Sequence, residues 1–270
     1  MSDSANSHHD PRSDLRADCY SCVGLCCVVP AFSTSADFAL DKPARSPCPN
    51  LAADFCCSIH SELRERGFPG CTVYDCFGAG QRVVQRHFSK ADWKSAPEVG
   101  DAMFAAFEVV ERMHELLWYL ADALARPAAR RLRDELEGLR AAVEEAARFP
   151  DGHDVAALQR RAAPLLGEVS TLVRGDGVDL RRKDLSGRDL RDHDLVAANL
   201  RGTLLLGADL RGCDLTDADL FGADLRGTDV RGADLAAAVF LTQLQVNAAT
   251  GDQNTRLNEY VRMPGHWRGV

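Results

Sequence analysis

The sequence predicts an α+β multi-part chain: a cysteine-rich metal module, a helical bridge, and a right-handed quadrilateral β-helix with a C-terminal helical cap. Three observations predict it. Nine of the ten cysteines fall between Cys19 and Cys76, apolar residues after Pro97 recur at helical spacing, and leucine or a near substitute recurs every five residues from Leu180 to Phe240. The boundaries follow from these changes of pattern: a disordered polar leader over 1–18, the module over 19–88, the bridge over 97–174, the β-helix over 176–240, and the cap and tail over 241–270.

The five-residue period is the most informative feature. It runs through Leu180, Leu185, Leu190, Leu195, Leu200, Leu205, Leu210, Leu215, Leu220, Leu225, Val230, Leu235 and Phe240. Five residues turn an α-helix through about 500°, so a helical stripe with this spacing would wander by ~140° per repeat. A square coil with one unit per side keeps every leucine inside. Alternation along an extended side also turns inward the residue two before each leucine, where Ala198, Ala208, Cys213, Ala218, Ala223, Ala233 and Ala238 stand. The residue two after each leucine turns the corner, and Gly187, Gly202, Gly207, Gly212, Gly222, Gly227 and Gly232 suit a tight bend.

With these residues in place, the span resembles the pentapeptide-repeat family and its A-[DN]-L-x-x unit. The resemblance implies four units per coil, so that residues twenty apart stack about 4.8 Å above one another. One face then stacks Arg191, Arg211 and Arg231 beside Asp189, Asp209 and Asp229, columns of opposite sign that neutralise each other. A second stacks Asp194, Asp214 and Asp234 with no basic column beside them. A third turns Leu204 and Leu206 outward, and the bridge is expected to cover them. Cys213, in a small inward position, is expected to be a buried thiol that packs like alanine. The stretch from Leu241 to Gly251 reads as a short amphipathic helix ended by Gly251, similar to the cap that closes ladders of this family.

In the bridge, Met103, Phe104, Phe107, Val110, Met113, Leu117, Trp118, Ala121 and Leu124 share one broad helical face. Pro127 ends that run. A second helix carries Leu132, Leu136, Leu139 and Val143 inward; a third carries Val155, Leu158, Ala162, Leu165, Leu166, Val169 and Leu172, with Pro164 expected to kink it. His114 falls inside the first pattern as a packing histidine.

Composition bounds the function. The chain has 270 residues, is 46% hydrophobic and carries a formal charge of −8, so it can bury a sizeable core but lacks the basic surface for coating nucleic acid or an anionic membrane. There is no run of about 18 apolar residues, and the leader, which holds the polar pair His8 and His9, lacks the apolar core of a signal peptide. A cytoplasmic location is expected. In a reducing compartment, clustered thiols are read as metal ligands before disulfides.

The cysteines run Cys19-x2-Cys22-x3-Cys26-Cys27, then Cys48, Cys56-Cys57, Cys71 and Cys76. Two thiolates separated by two residues can clasp one metal, whereas adjacent cysteines diverge, so Cys26 and Cys27 are expected to serve different metals. This order, with Pro47-Cys48-Pro49-Asn50-Leu51 and Cys57-Ser58-Ile59-His60, resembles the CxxCxxxCC family, described as zinc- or iron-chelating domains. The resemblance implies Cys19, Cys22, Cys26, Cys27, Cys48, Cys57, Cys71 and Cys76 as ligands. Eight thiolates could serve two four-coordinate sites or an iron or iron-sulfur centre. His60 and Cys56 stand as further candidates outside the family pattern, and Gly78-Ala79-Gly80-Gln81 reads as a tight turn beside the metal site rather than a phosphate loop.

Two functions fit. One is a scaffold or adaptor with structural metal and a ladder face for a protein or peptide partner. The other is an iron or iron-sulfur redox protein or metalloenzyme that docks a protein or peptide substrate on the ladder. Imitation of DNA before a topoisomerase ranks below both, since about 15 Å of ladder interrupted by arginine columns makes no continuous acidic rod.

Overall fold

A computed structural model describes residues 12–268. The repeat span forms the expected square coil. Parallel bridges join Asp179 to Asn199, Asp184 to Leu204, Asp189 to Asp209 and so on down the ladder, always twenty residues apart. The leucines from Leu190 to Leu235 and the seven small residues two before them are buried. The seven corner glycines all have φ between +62° and +70°, the left-handed region that a Cβ disfavours.

The aspartate of most units has a structural task that a pattern of burial does not reveal. Its Oδ1 accepts the backbone N–H two residues on, as in Asp189 to Arg191 at 3.2 Å and Asp214 to Thr216 at 2.8 Å, which fixes the turn at the corners where aspartate stands; Asn199 does the same, and Leu204 and Val239 take the place in two units. Where arginine follows, the same carboxylate also takes the guanidinium: Arg191, Arg211 and Arg231 each reach Asp189, Asp209 and Asp229 at 2.6 Å. Further contacts run between coils, Arg191 to Asp209 at 3.4 Å and Arg211 to Asp229 at 3.7 Å, so the two columns interlock.

Before the ladder come short helices α1 (Pro69–Thr72) and α2 (Ala79–Arg82), then the bridge: α3 (Gly100–Ala125), α4 (Arg133–Arg148) and α5 (Val155–Arg174). Asp154 caps α5 by accepting Ala157 N–H at 2.9 Å. Pro164 lies inside α5 on its exposed face, where the carbonyl it leaves unpaired can meet water.

Helix α3 is the axis of the molecule. Its first half, with Met103, Phe107 and Val110, packs in one core with Leu25, Val28 and Val83 of the cysteine module. Its second half, from Met113 to Ala123, joins a separate core with α4, α5, the ladder and the cap. The second half is buried nearly all round because helices cover one flank and the ladder the other.

The bridge covers a different side of the ladder from the one expected. It lies against Phe221, Val239 and Leu241: the Tyr119 and Phe221 ring centroids are 4.6 Å apart, and Trp118 Nε1 donates to Leu241 O at 3.0 Å. Asp122 accepts Phe240 N–H at 3.0 Å, and Arg126 donates to Ala237 O and Ala238 O at 2.8 and 2.7 Å. Leu204 stays 41% exposed. The bridge thus meets an aromatic and an aliphatic side chain, whereas Asp224 and Arg226 stack in the columns of Leu204 and Leu206.

Two other expectations are corrected. The leader is docked over its described part: Leu15 is buried, Arg12 is 2% exposed, and its guanidinium lies 3.5 Å from the Tyr260 ring centroid and 3.7 Å from Asp122. The cation neutralises a buried carboxylate and stacks on an aromatic face, which offsets its desolvation. Residues 1–11, including His8 and His9, lie outside the described residues. At the other end, α6 (Gln243–Ala248) opens with a Thr242–Gln245 capping box but ends at Ala249. Gly251 serves close approach instead, because a Cβ there would stand 2.6 Å from the Trp267 indole. The coil also continues past Phe240, with Thr250 and Arg256 pairing onto Asp229 and Asp234. The side chain of Arg256 reaches Asp234 and supplies the cation that this acidic column lacks in the repeat.

Candidate metal centre

The cysteine module is held by turns rather than by long elements. A 3-10 turn over Cys19–Ser21 is capped by Asp18, and a second over Leu25–Cys27 follows Gly24 in the left-handed region. Leu25 and Val28 anchor this loop in the core. The chain then doubles back through a Phe32–Lys42 bridge, and Cys48 N–H donates to Cys27 O at 2.9 Å, which seats Cys48 beside Cys27. A Leu51–Cys57 bridge brings in Cys57, and Gly70 N–H donates to Asp37 O at 3.1 Å to hold α1 with Cys71.

Burial and neighbouring thiols raise most of these cysteines, and the neighbours fall into two groups that share Cys27. Burial pushes the Cys71 thiol up to about 11, and the charges that add to this belong to Cys27, Cys48 and Cys57. Cys57 is raised by burial and then by Cys27 and Cys48. In the other set, burial raises Cys19 and Cys22, with Cys22 acting on Cys19. Cys76 is pushed to about 12 by burial, with Asp75 and Cys22 adding to it, and Cys26 is raised by Cys27, burial, Cys76 and Cys22. Cys27 is felt by both sets. The sets therefore meet at the Cys26–Cys27 dipeptide, where the Cys26 thiol donates to Cys27 Sγ at 4.0 Å.

Several features favour the thiolate form. Backbone N–H groups of Leu25, Gly24 and Val23 act on Cys22, those of Gly80 and Gly78 on Cys76, and that of Ile59 on Cys57, each lowering the thiol pKa against its burial. Gly80 has a steric reason as well: a Cβ there would stand 2.5 Å from Cys22 Sγ. The expected tight turn at Gly78–Gln81 is thus the start of α2, set directly against a thiol, and Gln81 ties it to the Cys19 loop by accepting Asp18 N–H at 3.1 Å and donating to Arg16 O at 2.7 Å.

Lys42 is the residue that pattern reading missed. It is 3% exposed, and its Nζ donates to Val28 O, Pro43 O and Ser46 O at 2.8, 3.1 and 2.8 Å. Burial lowers its pKa, while Cys48 and Cys27 raise it. Cys27 is correspondingly lowered, first by the hydrogen bond from Cys26 and then by Lys42. A buried ammonium ringed by carbonyls and thiols is costly unless anions balance it, and thiolates here would do so. The donor set therefore suits a thiophilic metal such as zinc or iron. Among the described residues, however, no three Cys, His, Asp or Glu side chains close on one point as a bound ion would require.

Residues 179–217 and 218–240 match the pentapeptide-repeats family in eight copies. Over 279 residues the chain is 49% identical to "Uncharacterized protein YybG" of Bacillus subtilis (strain 168), covering 99% of this chain and 100% of that one. The chain is a pentapeptide-repeat protein. Among solved structures it is similar to the pentapeptide repeat protein Rfr23 from the cyanobacterium Cyanothece 51142, at 29% identity and TM-score 0.23 over 30% of this chain and 57% of that one. It is also similar to a pentapeptide repeat protein from the Arabidopsis thaliana thylakoid lumen, at 35% identity and TM-score 0.15 over 33% of this chain and 63% of that one. It spans less than two thirds of either of these two chains.

In this pentapeptide-repeat protein, the two candidates outside the eight stand apart. Cys56 lies two residues after Asp54, whose carboxylate accepts its backbone N–H at 3.0 Å. His60 is exposed at the start of the His60–Glu62 turn. Cys213 is buried in the ladder, its thiol donating to Leu190 O at 3.4 Å, and burial pushes it up to about 11. Among the described residues, no helix is long and apolar enough to cross a membrane.

Proposed function

We propose that the N-terminal module holds two adjacent metal ions, zinc or iron, on two four-thiolate sets, and that these ions staple the module's own loops together beside a ladder serving as a protein-interaction scaffold. Cys27, Cys48, Cys57 and Cys71 form one set; Cys19, Cys22, Cys26 and Cys76 form the other. The observation that supports the reading is the backbone geometry, in which Cys48 N–H bonds to Cys27 O, Cys22 Sγ lies against Gly80 of the helix that follows Cys76, and Cys26 lies beside Cys27. Full thiolate coordination leaves no open position, so the metal supplies folding free energy, on the order of 10 kcal/mol per site. The module needs it, being built from turns and single bridges. Lys42 offsets part of the negative charge of the set containing Cys27 and Cys48. The exposed surface around Leu204, on the side where the cysteine module reaches Arg226 through Asp37, is the one offered to a protein or peptide partner.

The test is substitution by set. Cys71→Ser should remove one of two equivalents of metal, Cys22→Ser the other, and the double variant both, whereas Cys56→Ser should remove none. Loss of metal by Cys56→Ser, or loss of both equivalents by each single variant with the module still folded, would contradict the two-set assignment.

A further inference from the structure

Among the described residues, the first coil of the ladder has no capping helix like that of the last. Its places for small inward residues hold Val178, Lys183, Arg188 and His193, all exposed, in place of the alanines below. Long charged side chains over an open end discourage a second copy from stacking there. Beside this end, between the last turn of α5 and the first two coils, lies a cavity of about 800 Å³ lined by Arg174, Arg181, Arg182 and Arg201.

Three of these guanidiniums are already held in place. Arg201 pairs with the fully buried Asp219 at 2.9 Å and lies over the Phe221 ring at 4.3 Å. Arg174 donates to Ser170 Oγ at 3.0 Å and to Ala197 O at 3.3 Å, and Arg181 pairs with Asp179 at 2.8 Å. Arg182 has no acid partner among the described residues. It occupies a ladder corner with φ +56°, a conformation that seven other corners meet with glycine and two with Ala197 and Asp217, so glycine can replace it without strain. Against four arginines stand Asp179 and, beneath Arg201, Asp219, which leaves two positive charges uncompensated in a chain of net charge −8.

We infer that this cavity binds a small molecule carrying two or more phosphate groups. Guanidinium forks match phosphate oxygens in pairs, and a polyphosphate presents enough acceptors for forks arriving from α5 and two successive coils. The volume is that of a small-molecule site. Pre-orientation of three of the four arginines lowers the ordering entropy lost on binding.

The experiment is calorimetric titration of the full-length protein with inorganic pyrophosphate, with ADP and with citrate, repeated on Arg182→Gly. Glycine suits the corner, so this variant should melt at the same temperature as wild type or higher, which separates loss of binding from loss of fold. Pyrophosphate and ADP should bind with Kd below about 1 mM, citrate at least tenfold more weakly, and Arg182→Gly should weaken both phosphate ligands at least tenfold. ADP binding more tightly than pyrophosphate would assign a nucleotide; equal binding would assign recognition of the phosphates alone. The inference is overturned if neither phosphate ligand binds, if citrate binds as well, or if Arg182→Gly binds like wild type.

Discussion

His114 shows what one buried side chain does in this fold. It sits on α3 between the two cores, and its Nδ1 pairs with Phe77 O at 2.7 Å. Burial lowers its pKa from 6.5 to about 4, outweighing the Phe77 carbonyl, which raises it. The unfolded chain thus takes a proton below pH 6.5 that the folded chain refuses until about pH 4, so the native state loses stability as pH falls through that window. The loss should approach about 3 kcal/mol. Urea midpoints measured from pH 7.5 to 4 should fall more steeply for wild type than for His114→Gln; identical slopes would remove His114 from the account. The same scale explains Thr203 and Thr228, inward positions that hold threonine where alanine prevails. Their hydroxyls donate to Leu180 O and Leu205 O at 2.8 and 2.7 Å, so burial of a polar atom is met by a hydrogen bond.

Among the elements, the ladder was the most legible in sequence, because a period of five excludes a helix and its fourfold multiple sets which residues stack. Leu210 tests that register: it is buried between Leu190 above and Val230 below. Leu210→Asp forfeits ~1.5–3 kcal/mol of burial and leaves a carboxylate without a partner, so the C-terminal half should melt far below wild type. An unchanged melting curve would show that Leu210 does not face inward. The docking face of the bridge was less legible, since Leu204 and Leu206 drew attention as outward leucines while the deciding signal was Phe221. Phe221 is the one aromatic at an outward position directly after a repeat leucine, and it meets Tyr119. The cap was misjudged for a related reason: Gly251 looks like a helix stop, but a distant residue, Trp267, sets its need for glycine.

At the scale of the whole molecule, α3 runs through both cores, so the cysteine module and the ladder share one rigid element. Direct contacts add to this, with Arg226 pairing to Asp37 at 3.6 Å and Arg64 donating to Asn247 O at 3.3 Å. The eight cysteines were legible as a set from their spacing. Their division was not, because it depends on loop closures such as Cys48 N–H to Cys27 O, and neither was Lys42, which lies in a loop with no cysteine within five residues. The central claim is that these thiols hold two metal ions, and it is tested most directly by metal analysis and thiol titration on the same anaerobically purified sample of the full chain. The account predicts two equivalents of zinc or iron per chain, with the eight proposed ligand cysteines of the module becoming titratable only after chelation and Cys56, the ninth, reacting without it. Metal-free, folded protein whose module thiols react at once would contradict it.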